Sequence, residues 1–281
     1  MIAKRIPTIL PNLSFEEALE VTKIHSIAGE LNEEKPIIVE RPFRSPHHTI
    51  TGNALIGGGR VPKPGEISLA HLGVLFLDEL PEFNKNTLEM LRIPLEDEKV
   101  TISRVNSVVT YPCKFMLVAS MNPCPCGNYG SETKKCTCSK KEINQYMNRI
   151  SGPMLDRIDI LIEVASVKYE KLENENVETS AEIKKRVEDA RKIQLERYKN
   201  DGIYFNASLT PKLMKKYCKI NDDAKKVLEN AFERLGLSAR NYTRIIKIAR
   251  TIADLDNEEN IETKHIIEAI HFNQFEHYQR R

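Results

Sequence analysis

No run of apolar residues in this 281-residue sequence is long enough to span a bilayer as a helix. The charged start Met1-Ile2-Ala3-Lys4-Arg5 is interrupted by Pro7 and Pro11, and no signal-peptide core follows. A large net charge is missing as well. With 42 Lys and Arg against 40 Asp and Glu, the formal charge is +2, so a nucleic-acid role draws nothing from bulk electrostatics and needs a local patch. There is no internal repeat and no low-complexity tract. Without an export signal a reducing cytoplasm is the expected compartment, where six cysteines suggest thiols or metal ligands rather than disulfides. What remains is 41% hydrophobic and 29% charged, ordinary for a globular chain with room for one large domain or two of ordinary size.

Residues 1–35 read as helix, turn, helix. Ser14 suits an N-cap before Phe15, and Glu17 three residues on completes a capping box. Ile37-Ile38-Val39 is a short strand candidate, followed by a loop-rich section from Arg41 to Gly65. Val74–Leu77 is a continuous apolar run, the pattern of a strand buried on both faces of a parallel sheet. A helix is expected to begin near Asn84. Val100–Tyr111 alternates apolar and polar residues around a turn at Asn106-Ser107, a hairpin signal. Phe115–Ala119 reads as a second buried strand, and Ile158, Ile160 and Ile162 with Leu161 and Val164 as a third. Composition shifts over Lys168–Glu182, rich in Glu, Lys and Asn, which reads as a linker running into a helix. Beyond it, Ile183, Val187, Ala190 and Ile193 recur at helical spacing, as do Tyr242, Ile245, Ile246, Ala249, Ile252 and Ala253. The expected division is a core at 1–167, a linker at 168–182 and an all-helical domain at 183–281.

The chemistry concentrates where the apolar run ends, at Asp78-Glu79. Ligands gather outside the carboxyl ends of parallel strands, and two acids placed there suit a phosphate-bound Mg²⁺. In that reading Asp78 holds the metal or its water, and Glu79 orients or deprotonates the attacking water. The bland alternative is a buried strand followed by an acidic helix start. Asn122, just past the next strand, has the right chemistry to bond a terminal phosphate or the attacking water, or is a turn residue before Pro123. Arg157 stands where a helix gives way to a strand. It suits stabilising a transferring phosphoryl group from a neighbouring molecule, or a local ion pair with Asp156 or Asp159. Arg240 and Arg244 lie four apart on one face of a helix capped by Ser238, positioned for a phosphate or simply solvated.

Pro64-Gly65-Glu66-Ile67-Ser68-Leu69-Ala70-His71-Leu72 running into Gly73–Leu80 resembles the AAA+ ATPases of the magnesium-chelatase I-subunit type. Arg41-Pro42-Phe43-Arg44-Ser45-Pro46-His47-His48, the glycines 57–59 and the cysteine cluster narrow the resemblance to the competence-related ComM/YifB-like branch. It covers nearly the whole chain and implies an α/β fold: a P-loop-type parallel sheet followed by an all-helical lid. It further implies Walker-B acids at Asp78 and Glu79, a sensor-one residue at Asn122, an arginine finger at Arg157 and a sensor-two arginine at Arg240. ATP with Mg²⁺ is the implied cofactor, and the implied assembly is a hexameric ring, associated in that branch with DNA branch migration during natural transformation. Chelatase relatives act instead on a protein partner. A non-hydrolysing binding or assembly module is a further alternative.

One element of the resemblance is missing: G-x-x-x-x-G-K-[ST] occurs nowhere in the sequence. Gly57-Gly58-Gly59-Arg60 is no substitute, because Val61-Pro62 forbids the helix start that the motif requires. The resemblance places Met1–Arg5 immediately after that loop and a further strand in the middle of the sheet. The chain alone is therefore expected to hydrolyse ATP weakly or not at all, lacking the backbone cradle for phosphate.

Cys124-Pro125-Cys126 and Cys136-Thr137-Cys138 form a separate signal. Two close pairs of thiols, with Gly127 and Gly130 to allow tight turns, suit a closed tetrahedral Zn²⁺ site; the alternative is four reduced thiols on a loop. Lys134, Lys135, Lys140 and Lys141 flank it and suit DNA phosphates or plain solvation. Cys113 and Cys218 stand apart as packing residues. His47 and His48 lie in a loop with two arginines, which reads as an ordinary surface loop, with a phosphate or partner contact as the alternative.

Overall fold

A computed structural model of the chain describes residues 2–31, 36–104, 107–131, 133–164 and 178–272. Two compact units emerge, Met1–Ile158 and Asp159–Arg281, so the division falls earlier than residue 167. Most of the expected linker, like the hairpin turn at Asn106, lies outside the described residues.

In the first unit a short 3-10 turn and α1 (Ile6–Ile9) lead to α2 (Phe15–Ala28). The capping box forms as its sequence demands: Glu17 N–H donates to Ser14 Oγ at 3.2 Å, and Ser14 N–H to Glu17 Oε2 at 3.0 Å. Then come β1 (Phe43–Arg44), α3 (Gly52–Ile56), β2 (Gly57–Gly58), β3 (Lys63–Pro64), α4 (Glu66–Leu69) and β4 (Val74–Leu77). They are followed by α5 (Lys85–Glu89), α6 (Arg92–Asp97), β5 (Lys99–Arg104), β6 (Ser107–Pro112), β7 (Met116–Ala119), α7 (Lys140–Met147) and α8 (Gly152–Leu155). The central sheet is parallel in the order β1-β4-β7, with Val74 opposite both Phe43 and Met116. Val74, Leu75 and Leu77 are fully buried, as the continuous apolar run requires. Gly73 lets β1 come close: a Cβ there would stand 2.1 Å from the Pro42 carbonyl oxygen, which accepts the Val74 N–H at 2.8 Å.

Three strand expectations change. Ile37–Val39 forms no strand; Ile37 and Val39 are exposed, and the chain joins the sheet only at Phe43. Arg41 fixes that entry point, donating to the carbonyls of Pro11 at 2.5 Å and Leu72 at 2.7 Å. β7 is an edge strand with Met116 45% exposed, not a strand covered on both faces. Ile158–Val164 forms no strand, and Ile160, Ile162 and Val164 are exposed.

Helices α2 and α4 meet through two buried histidines. His25 Nε2 donates to the Leu69 carbonyl at 3.0 Å, while His71 Nδ1 accepts the Lys114 N–H at 3.0 Å. Burial holds both imidazoles below their ordinary pKa of 6.5, more strongly than the nearby Glu30 and Glu20 raise them. The unfolded chain therefore takes up protons near pH 6.5 that the folded chain refuses. The stability held by these neutral rings is full above that pH and is lost as pH falls through the lowered folded values. Urea midpoints at about pH 7.5 and 5.5 are expected to differ, lower in acid, with the difference reduced in His71→Gln. Equal midpoints for the native chain would contradict this account.

The second unit is helical, as expected: α9 (Ser180–Tyr198), α10 (Pro211–Tyr217), α11 (Asp222–Leu235), α12 (Ala239–Leu255) and α13 (Thr263–His271). Ile245, Ile246, Ala249 and Ala253 of α12 form the buried stripe read from their spacing. Its core also holds an ionic cluster. Arg250 of α12, completely buried, donates Nε to Asp254 at 3.1 Å and its two terminal nitrogens to the carbonyls of Glu259 and Glu258. Asp254 also accepts from both ends of Arg197 and, at 2.8 Å, from Asn206 Nδ2.

No described helix is long and apolar enough to cross a membrane.

Candidate nucleotide site and cysteine cluster

Asp78 and Glu79 sit where β4 leaves the sheet, and both are exposed. Ser120, at the matching tip of β7, ties the two strand ends together. Its hydroxyl donates a short hydrogen bond to Asp78 Oδ1, while it accepts the Glu79 N–H at 3.4 Å. The Ser120 carbonyl takes the Leu80 N–H at 2.9 Å. One carboxylate oxygen of Asp78 is thus held by the neighbouring strand. Glu79 has left-handed backbone, φ 55 and ψ 51, which turns its side chain away from the line of the strand. Such strained corners gather at reactive sites.

His48 comes to the same corner, its Nδ1 3.7 Å from Glu79 Oε2. It also borders a mixed polar and apolar cleft of about 580 Å³ whose lining includes Ile50, Thr51, Glu82, Asn84, Thr87 and Met90. Asn122 is exposed two residues past Ser120, and its backbone is hydrogen-bonded to the phenol of Tyr146 on α7, whose pKa burial raises. Arg149, two residues past the C-terminal end of that helix, donates to Glu82 Oε2 at 2.7 Å. Ser120 and Arg149 escape sequence reading, because each acts through a partner dozens of residues away.

The arginines are more engaged than their sequence positions indicate. Arg157 pairs with neither neighbouring aspartate but with Glu96 of α6 at 2.5 Å, and its other terminal nitrogen donates to the Pro153 carbonyl at 2.5 Å. Any phosphate contact by Arg157 has to open that pair. In the second unit Ser238 caps α12 as expected, accepting the Asn241 N–H at 3.2 Å. Arg240 is exposed. Arg244 is not on a solvated face; its side chain is 10% exposed and its Nε lies 2.9 Å from Asp159. Arg44 bridges Glu66 and Glu30, so both arginines of the Arg41–His48 motif are structural ties.

The four cysteines converge. Sγ separations are 3.4 Å for Cys124–Cys126, 3.7 Å for Cys124–Cys136 and 3.6 Å for Cys126–Cys136, and the Cys138 sulfur falls within the same 4.8 Å cluster. A tetrahedron with Zn–S bonds of about 2.3 Å has sulfurs about 3.8 Å apart, so the set fits. Gly127 and Gly130 turn the loop with φ of 77 and 80, and the Tyr129 N–H donates to Cys124 Sγ at 3.3 Å. Backbone hydrogen bonds from Thr137 and Asn128 bring the Cys126 thiol down to about 5, while burial pushes Cys138 up to about 12.

The parallel sheet with paired acids at its carboxyl edge, followed in sequence by a helical unit, is that of a partial AAA+ α/β domain with a helical C-terminal domain. The family model for magnesium chelatase, subunit ChlI, matches residues 1–172, and that for the ChlI C-terminal part matches residues 177–273. The chain belongs to the magnesium chelatase ChlI family, in its ComM/YifB-like branch. It is 45% identical over 273 residues to the competence protein ComM of Haemophilus influenzae, covering 96% of this chain and 52% of that protein. YifB of Escherichia coli is 43% identical over 274 residues, covering 97% and 53%, respectively. A protein of Mycobacterium bovis, Mb2921c, is 36% identical over 275 residues, covering 98% and 54%. The chain thus spans about half the length of the curated relatives it matches.

Proposed function

We propose that the chain is the core and lid of an AAA+ motor that couples hydrolysis of Mg²⁺-bound ATP to DNA remodelling of the branch-migration kind, within a hexameric ring. The observation that carries this reading is the Asp78–Ser120–Glu79 corner at the tips of two adjacent parallel strands. There one acid is held in register by a hydroxyl while the other is turned outward by left-handed backbone. Bound Mg²⁺ would supply charge compensation for the phosphates, and Asp78 is the residue to hold it or its water. Glu79 takes the proton of the attacking water, Asn122 orients that water or a terminal phosphate, and Ser120 positions Asp78. Arg157 is assigned as the finger offered to a neighbouring protomer, exchanging Glu96 for phosphate, and Arg240, supported by Arg244, as the lid's phosphate contact. Cys124, Cys126, Cys136 and Cys138 would hold a structural Zn²⁺ between Asn122 and α7.

Because these residues include no phosphate loop, hydrolysis is expected to be weak for the chain alone and to appear when a polypeptide carrying the family's phosphate loop is added. Glu79→Gln is expected to lower that turnover by about 100-fold or more, measured as phosphate release. Turnover by the isolated chain, or turnover indifferent to Glu79→Gln, sinks the assignment. Family membership alone also permits a protein partner in place of DNA. Salt-sensitive binding of forked DNA separates the two, since counterion release scales with the phosphates neutralised.

A further inference from the structure

The left-handed corner at Glu79 needs an outside hold. A non-glycine residue in such backbone persists only where its surroundings over-determine it. Within the turn itself, the Glu82 N–H donates to the Glu79 carbonyl at 2.8 Å, and Leu80 and Pro81 are buried between the two exposed acids. Two further grips come from elsewhere in the first unit. Ser120, at the tip of β7, takes the Leu80 N–H at 2.9 Å. Arg149 is the second: its Nη1 donates to the Pro81 carbonyl at 3.4 Å and to Glu82 Oε2 at 2.7 Å.

Both grips run back to the cysteine cluster. On one side the chain passes from Ser120 through Asn122 straight into Cys124. On the other, Cys138 directly precedes Ser139, the N-cap of α7. There the Glu142 N–H donates to Ser139 Oγ at 3.3 Å and the Ser139 N–H to Glu142 Oε2 at 2.7 Å, a capping box that leaves little play between cap and helix. At its other end α7 buries Tyr146 and Met147, and the Arg149 N–H donates to the Tyr146 carbonyl at 3.3 Å, so the arginine stays tied to the helix. Burial raises the Tyr146 pKa, and Glu82 and Glu79 raise it further, which puts the phenol beside the acid corner. The cluster is thus the junction between the grip borne by the strand tip and the grip borne by the helix. A metal that takes all four thiolates closes the loop between them and removes its freedom.

We propose that Arg149 is a positioning residue for Glu79, and that metal in the cysteine cluster sets its hold on the corner. The assignment rests on the acid-corner and zinc readings of the preceding subsection and adds the link between them. It gives the cluster a task in the chemistry as well as in stability.

The first measurement is hydrogen exchange of the whole chain, zinc-loaded and after chelation, read by mass spectrometry. Chelation is expected to speed exchange over Leu80–Glu82 about threefold to fivefold, beside a larger rise over Gly127–Tyr129 in the cluster loop. Arg149→Ala is expected to do the same at Leu80–Glu82 with zinc bound, the scale of one half-exposed ion pair, and chelation should then add little there. Its zinc content and melting curve should match the native chain. The second measurement is turnover with the added phosphate-loop polypeptide. Arg149→Ala is expected to lower kcat about tenfold at unchanged KM for ATP, and Arg149→Lys, which keeps a cationic donor for both acceptors, to recover most of it. A chain that binds no zinc, or exchange at Leu80–Glu82 that ignores chelation while the cluster loop opens, overturns the proposal. So does a loss confined to KM, or Arg149→Lys behaving as alanine does. If the native chain shows no turnover even with the added polypeptide, the motor reading falls, while the exchange comparison still decides the link.

Discussion

Asp254→Ala is expected to lower the stability of the helical unit by about 3–5 kcal/mol, the range for removing one partner of a buried ion pair. The carboxylate of Asp254 is completely buried and accepts from Arg197, Arg250 and Asn206 together. Alanine would leave Arg250, with no exposed surface, facing only the Glu258 and Glu259 carbonyls on its far side. Arg197 is 14% exposed and has a route to solvent, so Arg250 bears most of the penalty. For a unit of this size the melting temperature would fall by about 10–20 °C. Arg250→Met/Asp254→Leu should recover much of the loss, because no charge is then stranded. A calorimetric scan in which Asp254→Ala melts within a degree or two of the native chain would show that the cluster carries little.

Removal of metal from the cysteine cluster is the other large effect. The chain purified without added zinc is expected to contain about one Zn²⁺, and Cys136→Ser about none. Apparent binding free energies at structural zinc sites reach the order of 10 kcal/mol at neutral pH, so chelation should unravel the loop after β7 well before the sheet melts. Zinc also takes its ligands as thiolates, which makes loading fall as acid protonates them. Cys113 is the matched control: buried against α6, with its thiol pushed up to about 12, it has no reason to ligate. Metal analysis finding zinc in Cys136→Ser but not in Cys113→Ser would invert the assignment.

Legibility in the sequence followed the range of the interactions. The Ser14 capping box, the β4 run, the β5–β6 hairpin and the α12 stripe are fixed by neighbours within a few residues, and each stands where its pattern placed it. Ile37–Val39 and Ile158–Val164 misled for one shared reason. A β pattern reports the propensity of a segment, whereas a strand also needs a partner edge, and neither has one among the described residues. Asp78 and Glu79 stand at the strand end where the apolar run placed them. Ser120 was not legible, since its role depends on a register 42 residues away. Arg244 lies on the helix its spacing indicated, whereas the strand expected after Arg157 does not form, and the counter-ions of both, Glu96 and Asp159, come from distant segments. The cysteines converged as their spacing implied, because short loops with two glycines leave them few other arrangements.

Glu79 occupies a backbone conformation that glycine would adopt freely and that costs an ordinary residue on the order of 1 kcal/mol or more. The side chain wanted for chemistry and the residue wanted for a relaxed corner are therefore different. A chain released from the first requirement would drift toward glycine there and gain firmness as it lost reactivity. Glu79→Gly is therefore expected to relax that corner while removing the carboxylate proposed for chemistry.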